Sequence, residues 1–228
     1  MHIPDGFING PITLGGFAVT AAVCGVAIAK ANREMEEKDL PLLGVCASFV
    51  FASQLFNFPV AIGISGHFLG ALLAALLLGP LNAVLVMAVV LTIQSLLFAD
   101  GGVTALGINI FNLGIVGGAA AYLVFRIFSL ILPKTSRGFY LSAGIASWFS
   151  VVGGASLCAV ELSLSGVLPF DSAFPAITGV HAIIGIAEGI ITTTVLSAII
   201  ASRPDIVRGW RIHYGNVQVM HEKGVEAH

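Results

Sequence analysis

Charged residues are scarce in this sequence. Of its 228 residues, 10% are Asp, Glu, Lys or Arg and 57% are hydrophobic, whereas soluble globular domains carry about 25% charged residues. So few charges cannot cover a soluble protein with polar surface, and the composition therefore predicts an integral membrane protein. The net charge of −2 gives no basic footprint for a nucleic acid.

Cysteine is also scarce, and the motifs of ATPases and hydrolases are missing. Cys24, Cys46 and Cys158 lie in apolar stretches without metal-ligand spacing, which is typical of small buried side chains and predicts no disulfide framework. The sequence contains no G-x-x-x-x-G-K-[ST], H-E-x-x-H or G-x-S-x-G stretch, so the chain should not hydrolyse ATP itself. An intramembrane hydrolase using Ser65 or His67 is the weak alternative. A channel or secondary transporter should show paired repeats, and none is found.

Hydrophobic runs long enough to cross a bilayer recur along the chain. A spanning helix needs about 20 apolar residues, and seven such runs predict an all-α polytopic membrane protein with seven transmembrane helices. No soluble domain interrupts them, so residues 1–201 should form a single transmembrane domain. The predicted spans are 12–29, 40–58, 61–79, 80–99, 108–132, 139–165 and 177–201, with the regular part of the third allowed to begin only near His67.

Basic residues predict the orientation, because Lys and Arg concentrate in cytoplasmic loops. With seven spans and the N-terminus outside, the predicted outer loops near 59–66, 100–107 and 166–176 contain no Lys or Arg. Residues 202–228 then form a cytoplasmic tail. All ten basic residues fall on the cytoplasmic side: Lys30, Arg33, Lys38, Arg126, Lys134, Arg137, Arg203, Arg208, Arg211 and Lys223.

The first eleven residues, MHIPDGFINGP, form a polar segment unlike a secretory signal, which would begin with Lys or Arg. Bulky His2 predicts that Met1 is retained. The Met1 amine, the His2 backbone nitrogen and the His2 imidazole can close two fused chelate rings on one cation. Pro4 has no N–H to offer, and Asp5 beside Gly6 predicts a turn that folds the segment back. The alternative is a disordered or capping N-terminus with an incidental histidine.

His67, in the stretch SGHF, can supply a fourth nitrogen to the three from the chain start. A planar set of four nitrogens favours Ni(II) or Cu(II) over Mg, Ca or tetrahedral Zn. Residues 1–11 are thus a candidate metal-binding segment. Alone, His67 is more readily interpreted as a hydrogen-bonded structural residue than as a ligand.

Further polar residues lie within the predicted spans, where burial of a polar group is costly. His181 and Glu188 are seven residues apart and share a helical face, which leaves both interhelical contact and gating open. Gln94, Asn109 and Asn112 should satisfy one another or free backbone near the outer turns, or else surround and orient a metal site. Residues assigned to such a supporting or gating role are Asp5, Gln94, Asn109, Asn112, His181 and Glu188, and Glu161 is a further deep polar residue.

Four segments carry a family resemblance. The stretches MHIPDGF, SGHFLGALLAALLLGPLNAVLVM, LFADGGVTALGINIFNLGIVG and HAIIGIAEGIIT resemble the CbiM/NikM family, the substrate-binding membrane subunits of energy-coupling factor transporters for nickel and cobalt. The resemblance covers most of residues 1–200. It implies a seven-helix bundle with the N-terminal segment tucked into its centre.

The same resemblance implies ligands, cargo and partners. The ligands are Met1 through its amine, His2 through backbone and side chain, and His67. The transported substrate is Ni(II) or Co(II), and the planar nitrogen set favours Ni(II). The implied partners are a membrane-embedded coupling (T) subunit, cytoplasmic ATPase (A) subunits and a small auxiliary membrane subunit, in the plasma membrane of a prokaryote.

The tail contains three more histidines, His213, His221 and His228. They are candidates for loose metal binding on the cytoplasmic side. Their spacing fits no compact site, so we expect them to make no specific contacts.

Overall fold

A computed structural model describes residues 1–61 and 64–214, which form nine α-helices and one β-hairpin. A π-helix, Phe111–Ala120, joins α5 to α6 without a break, and single 3₁₀ turns precede α2 and α9. The helices are α1 Gly10–Glu34, α2 Leu40–Gln54, α3 Ala71–Leu78, α4 Pro80–Leu97, α5 Leu106–Ile110, α6 Ala121–Ile131, α7 Ser136–Leu164, α8 Phe170–Ser202 and α9 Arg208–Tyr214, and the strands are β1 Asn57–Ala61 and β2 Ile64–His67.

Local sequence explains where several helices begin. The Asn9 side chain accepts a hydrogen bond from the Ile12 backbone N–H (3.1 Å) at the start of α1, and Pro11 occupies the first turn. Thr135 caps α7 in the same manner. Such side chains satisfy backbone N–H groups that a helix start leaves unpaired.

Five helices are long and apolar enough to cross a bilayer: α1, α4, the continuous run Leu106–Ile131, α7 and α8. These confirm the prediction of a helical membrane protein. The helix α2 has 15 residues and ends at Gln54, four residues before the end of the second predicted span. Within the described ranges, helix length alone therefore supports five spans rather than the predicted seven.

The first half of the third predicted span, 61–79, is not helical, and its regular part begins at Ala71, close to the later start near His67 that the sequence allowed. The backbone there forms an antiparallel hairpin in which His67 pairs with Asn57 and Gly66 with Phe58. Helix α3 has only eight residues, about 12 Å of rise. Glycine disfavours a helix interior, and Gly70 has a φ of +71°, so the chain turns at Gly70 before α3 starts.

Helix α3 lies at the centre of the bundle, since all eight of its residues are buried. The π-helix packs on this centre through glycines: a Cβ added at Gly117 would lie 2.8 Å from Leu69 Cδ2, and one at Gly118 would touch Ala71. Helices α7 and α8 form the most extensive pair. The loop that carries His67 therefore enters the middle of the protein.

The start of the predicted tail is folded. Helix α9 packs beneath α3, where a Cβ on Gly209 would lie 2.6 Å from Leu76 Cδ2. His213 is buried, with Nδ1 2.7 Å from Ser129 Oγ and Nε2 3.2 Å from the Thr135 carbonyl. The expectation that this histidine makes no specific contact is wrong. His221 and His228 lie outside the described residues.

Candidate metal site

The first three residues are buried inside the bundle. Met1 and Ile3 are fully buried and His2 is 3% exposed. Asn109, in α5, fixes this segment from both sides: its Oδ1 accepts from the Ile3 N–H (2.9 Å) and its Nδ2 donates to the Ile3 carbonyl (3.0 Å). The Gly102 N–H donates to the same carbonyl (2.8 Å). These hydrogen bonds to its main-chain groups thus hold the N-terminal segment inside the bundle.

The turn after α4 forms the seat of this segment. A Cβ added at Gly102 would lie 2.3 Å from the Asp5 backbone nitrogen, and one at Gly101 would lie 3.3 Å from His2 Cβ. Asp5 Oδ1 accepts from the backbone N–H (2.7 Å) and hydroxyl (2.5 Å) of Thr104. These hydrogen bonds lower the pKa of Asp5 below its usual value. Only glycine leaves room for the segment to approach so closely.

His2 and His67 lie face to face. Their ring centroids are 4.7 Å apart and the ring planes differ by 15°. His2 Nδ1 lies 3.0 Å from Asp100 Oδ1, and His67 Nδ1 lies 2.8 Å from the Phe68 carbonyl oxygen. Both acceptors assign the ring proton to Nδ1. The Nε2 atoms of both rings are buried without a hydrogen-bond partner, so two imidazole lone pairs lie together in the protein interior.

The Met1 amine completes this group of nitrogens. It lies within electrostatic range of Asp100 and Cys158. The Met1 sulfur approaches Gly154 of α7, where an added Cβ would lie 3.7 Å from Sδ. The first residue of the chain therefore lies beside α7 rather than at the protein surface.

These nitrogens define what the site can do. Among the described residues, no three His, Cys, Asp or Glu side chains come together as a metal-binding group, so a cation here must use main-chain nitrogen as well. A six-membered chelate ring that includes the His2 backbone nitrogen uses Nδ1, which faces Asp100 in this structure. Chelation of that kind requires a half-turn of the His2 ring about Cβ–Cγ.

The other residues assigned to supporting roles make separate contacts. Asn112 donates to Glu161 Oε2 (2.6 Å), and Gln94 donates to Gln54 Oε1 (3.1 Å). Asn109, as described, binds the N-terminal segment. The three amides thus do not bind one another. Asn109 does bind free backbone groups, which was the other expectation for these residues.

His181 and Glu188 are both buried in α8, as their spacing predicts. His181 Nδ1 lies 2.8 Å from the Ile177 carbonyl oxygen, and His181 lies within electrostatic range of His67. Glu188 accepts from the backbone N–H groups of Leu69 and Gly70. The side chain of Ser65, on which the hydrolase alternative depends, lies outside the described residues.

Two residues near the site were not predicted from the sequence. Asp100 is an acid at the end of an apolar run, and Gln54 is a single amide in the apolar helix α2. A polar side chain in an apolar segment costs free energy unless it has a hydrogen-bond partner. This cost was the signal that could have identified both residues. Their partners, His2 and Leu69, are distant in sequence and could not be read from it.

Comparison with known proteins identifies the family of the chain. Residues 2–206 match the family model CbiM, described as the cobalt uptake substrate-specific transmembrane region. A putative metal transport protein of Haloquadratum walsbyi is 40% identical over 91% of this chain and 93% of its own length. A putative fused nickel transport protein NikMN of Archaeoglobus fulgidus is 39% identical over 91% of this chain and 68% of the relative.

Relatives named for cobalt transport and solved structures also match the chain. A putative cobalt transport protein of Methanosphaerula palustris is 31% identical over 99% of this chain and 98% of the relative. A crystal structure of a transition metal transporter superposes with a TM-score of 0.82 at 30% identity, covering 92% of this chain and 98% of that one. The chain therefore belongs to the CbiM family and is a membrane component of nickel or cobalt uptake.

Proposed function

We propose that this chain captures Ni(II) at the outer side of a prokaryotic plasma membrane, for ATP-driven import by an energy-coupling factor transporter. Co(II) is the less favoured cargo. The observation that carries the proposal is the stacking of the buried His2 and His67 rings beside the buried chain start.

The proposed ligands are the Met1 amine, the backbone nitrogen and imidazole of His2, and the His67 imidazole. Their burial supports this assignment, because a bound ion would be shielded from water. The unpartnered Nε2 atom of His67 also supports it, since buried polar atoms normally have partners. The Phe68 carbonyl, which accepts from His67 Nδ1, acts as the outer acceptor that commonly orients a metal-bound histidine. Capture includes the half-turn of the His2 ring that brings Nδ1 to the metal and breaks its contact with Asp100.

Nickel is favoured over cobalt by coordination chemistry. Four nitrogens in a plane suit low-spin Ni(II), which also lies above Co(II) in the affinity series. The relatives include proteins named for nickel and proteins named for cobalt, so cobalt is the alternative cargo within the same family.

The proposed topology places the N-terminus outside and the C-terminus in the cytoplasm. The positions of the basic residues support it, because they cluster between alternate spans. The proposed partners are a coupling T subunit, ATPase A subunits and a small auxiliary membrane subunit. Two relatives are named as fused nickel transport proteins, which supports an additional unit in this kind of system.

An N-terminal extension tests the ligand set. Two alanines preceding Met1 in the mature protein move the free amine away from the His2 chelate. A single alanine is unsuitable, because histidine would then stand third and the new amine, two backbone nitrogens and the imidazole could hold Ni(II) in a plane. We expect equilibrium dialysis of the purified protein to show Ni(II) binding weaker by about tenfold or more, since a chelate ring is lost and a tenfold change is only about 1.4 kcal/mol. The matched control carries two extra alanines after His228 and should bind as the native chain does. Unchanged binding by the N-terminally extended protein would refute the proposal.

A further inference from the structure

Glu188 holds the backbone that follows His67. Its Oε2 accepts from the Leu69 N–H at 2.7 Å and its Oε1 accepts from the Gly70 N–H at 2.9 Å. The side chain is 1% exposed. Both carboxylate oxygens of this α8 residue are therefore used on two successive amides of a loop more than one hundred residues earlier in the chain.

The position of these amides explains the need for a carboxylate. Leu69 and Gly70 immediately precede α3, and Gly70 is its N-cap. The first N–H groups of a helix have no partner within the helix, and a negative charge there is favourable because the helix dipole is positive at this end. Glycine has no side chain with which to cap the helix. Glu188, from another helix, therefore places its carboxylate at the start of α3, on the two N–H groups that immediately precede the helix.

The same peptide unit reaches His67 on its other side. The Leu69 N–H belongs to the Phe68–Leu69 peptide, and the carbonyl of that peptide lies 2.8 Å from His67 Nδ1. Glu188, the peptide and the imidazole thus form one chain of hydrogen bonds. Such chains polarise each member and strengthen one another in a low-dielectric interior.

A second contact restrains the next peptide unit. Gln54 Nε2 donates to the Leu69 carbonyl at 2.8 Å, and Gln94 Nε2 donates to Gln54 Oε1 at 3.1 Å. Helices α2 and α8 therefore bind Leu69 directly, and α4 holds the Gln54 side chain through Gln94. Because Leu69 is bound on both sides, the neighbouring carbonyl that accepts from His67 has little freedom to move.

We propose that Glu188 is a positioning residue for the metal site. Acting through the Phe68–Leu69 peptide, it holds the proton of His67 on Nδ1 and directs the Nε2 lone pair towards the metal. This inference rests on the proposed function, since it takes His67 as a ligand. It assigns to Glu188 a role beyond helix–helix packing.

The substitution Glu188→Gln tests the proposal. Glutamine keeps the size of the side chain but has one accepting oxygen, so one of the two amides loses its acceptor. We expect Ni(II) affinity to fall by about 10- to 100-fold, as is typical when an outer partner of a metal-bound histidine is removed. The d–d absorption of the Ni(II) complex should shift towards that of His67→Ala, because the fourth nitrogen is no longer held in place.

Glu161→Gln is the matched control. Glu161 is also a buried carboxylate, but it accepts from the Asn112 amide, and a glutamine oxygen can still accept from that group. We expect its Ni(II) affinity to stay within about twofold of the native value, since this hydrogen bond remains. An equal loss in both variants would attribute the effect to any missing buried charge and overturn the proposal.

A double-mutant cycle separates this inference from the proposed function. If Glu188 acts through His67, Glu188→Gln should cause no further loss in the His67→Ala background, whereas independent effects add. Additive losses overturn the inference. If His67→Ala itself binds Ni(II) normally, the proposed ligand set fails instead. If Glu188→Gln does not fold, as judged by its thermal transition, Glu188→Asp is put through the same cycle and judged by the same criterion.

Discussion

The rings of His2 and His67 are stacked 4.7 Å apart, and each is placed by a different part of the chain. His2 is carried by a segment that Asn109 and Gly102 bind through main-chain groups. His67 is the last residue of β2, in the short hairpin that precedes α3. The proposed site therefore depends on two independent docking events, and each of them can be disturbed on its own.

Replacement of Asn109 should detach the N-terminal segment. Asn109→Ala leaves the Ile3 N–H without its acceptor and removes one of two donors to the Ile3 carbonyl. An unsatisfied buried group costs about 1–3 kcal/mol, so we expect Ni(II) affinity to fall about tenfold or more. Covalent labelling of the Met1 amine should become faster, because a detached segment exposes it.

Asn112→Ala is the control for this change. Asn112 has a similar burial but contacts Glu161 rather than the N-terminal segment. We expect its amine labelling rate to match the native protein. Equally slow labelling in the Asn109 variant would mean that other contacts suffice to dock the segment.

Gly102→Ala should have a larger effect than the loss of one hydrogen bond. The added methyl group would lie 2.3 Å from the Asp5 nitrogen and 2.5 Å from Asp5 Oδ1, so the N-terminal segment and the 100–104 turn would have to separate. We expect Ni(II) capture to be abolished in a dialysis assay while the helical content by circular dichroism stays native. Gly44→Ala adds the same methyl group where nothing lies within 4 Å and should bind normally.

The chelate of Met1 and His2 could be proposed from the sequence, because it uses residues adjacent in the chain. The burial of the segment was expected only from the family resemblance, because the groups that bind it, Asn109 and Gly102, are distant in sequence. The start of α1 is likewise local, since Asn9 and Pro11 determine it. The hairpin before α3 was not predictable, because an apolar run with glycines is compatible with a helix or a strand. The hydrogen bond from Leu69 to Glu188 was also not predictable, since hydropathy does not indicate which distant backbone groups donate to a buried carboxylate.

Metal capture should weaken as the pH falls below about 6. The ligands must be deprotonated to bind, and the reference pKa values are about 7.7–8.0 for an α-amine and about 6.5 for histidine. Protons therefore compete with the metal in acid. Asp5 does not contribute in this range, because its hydrogen bonds from Thr104 hold its pKa below the usual value. Ni(II) titrations at several pH values check this, and a flat profile would exclude amine and imidazole as ligands.

His213 should make the stability of the α9 end of the bundle depend on pH without affecting metal affinity. Burial, together with the nearby Lys134, lowers the pKa of His213 below its usual value. The unfolded state therefore binds a proton at a higher pH than the folded state does. Stability is fully present above the unfolded pKa of about 6.5, and it is lost as the pH falls from that value towards the lower folded pKa.

The comparison for His213 is His213→Asn, which cannot titrate. Between pH 7.5 and pH 5.5 we expect the native thermal midpoint to fall by about 2 °C more than that of the variant, the shift that roughly 1 kcal/mol gives in a protein of this size. Ni(II) affinity at pH 7.5 should be the same in both, because α9 packs against the opposite end of α3 from His67. Parallel pH profiles for the two proteins would show that α9 docks without help from the neutral imidazole, and a lower metal affinity in His213→Asn would show that the two ends of α3 are coupled.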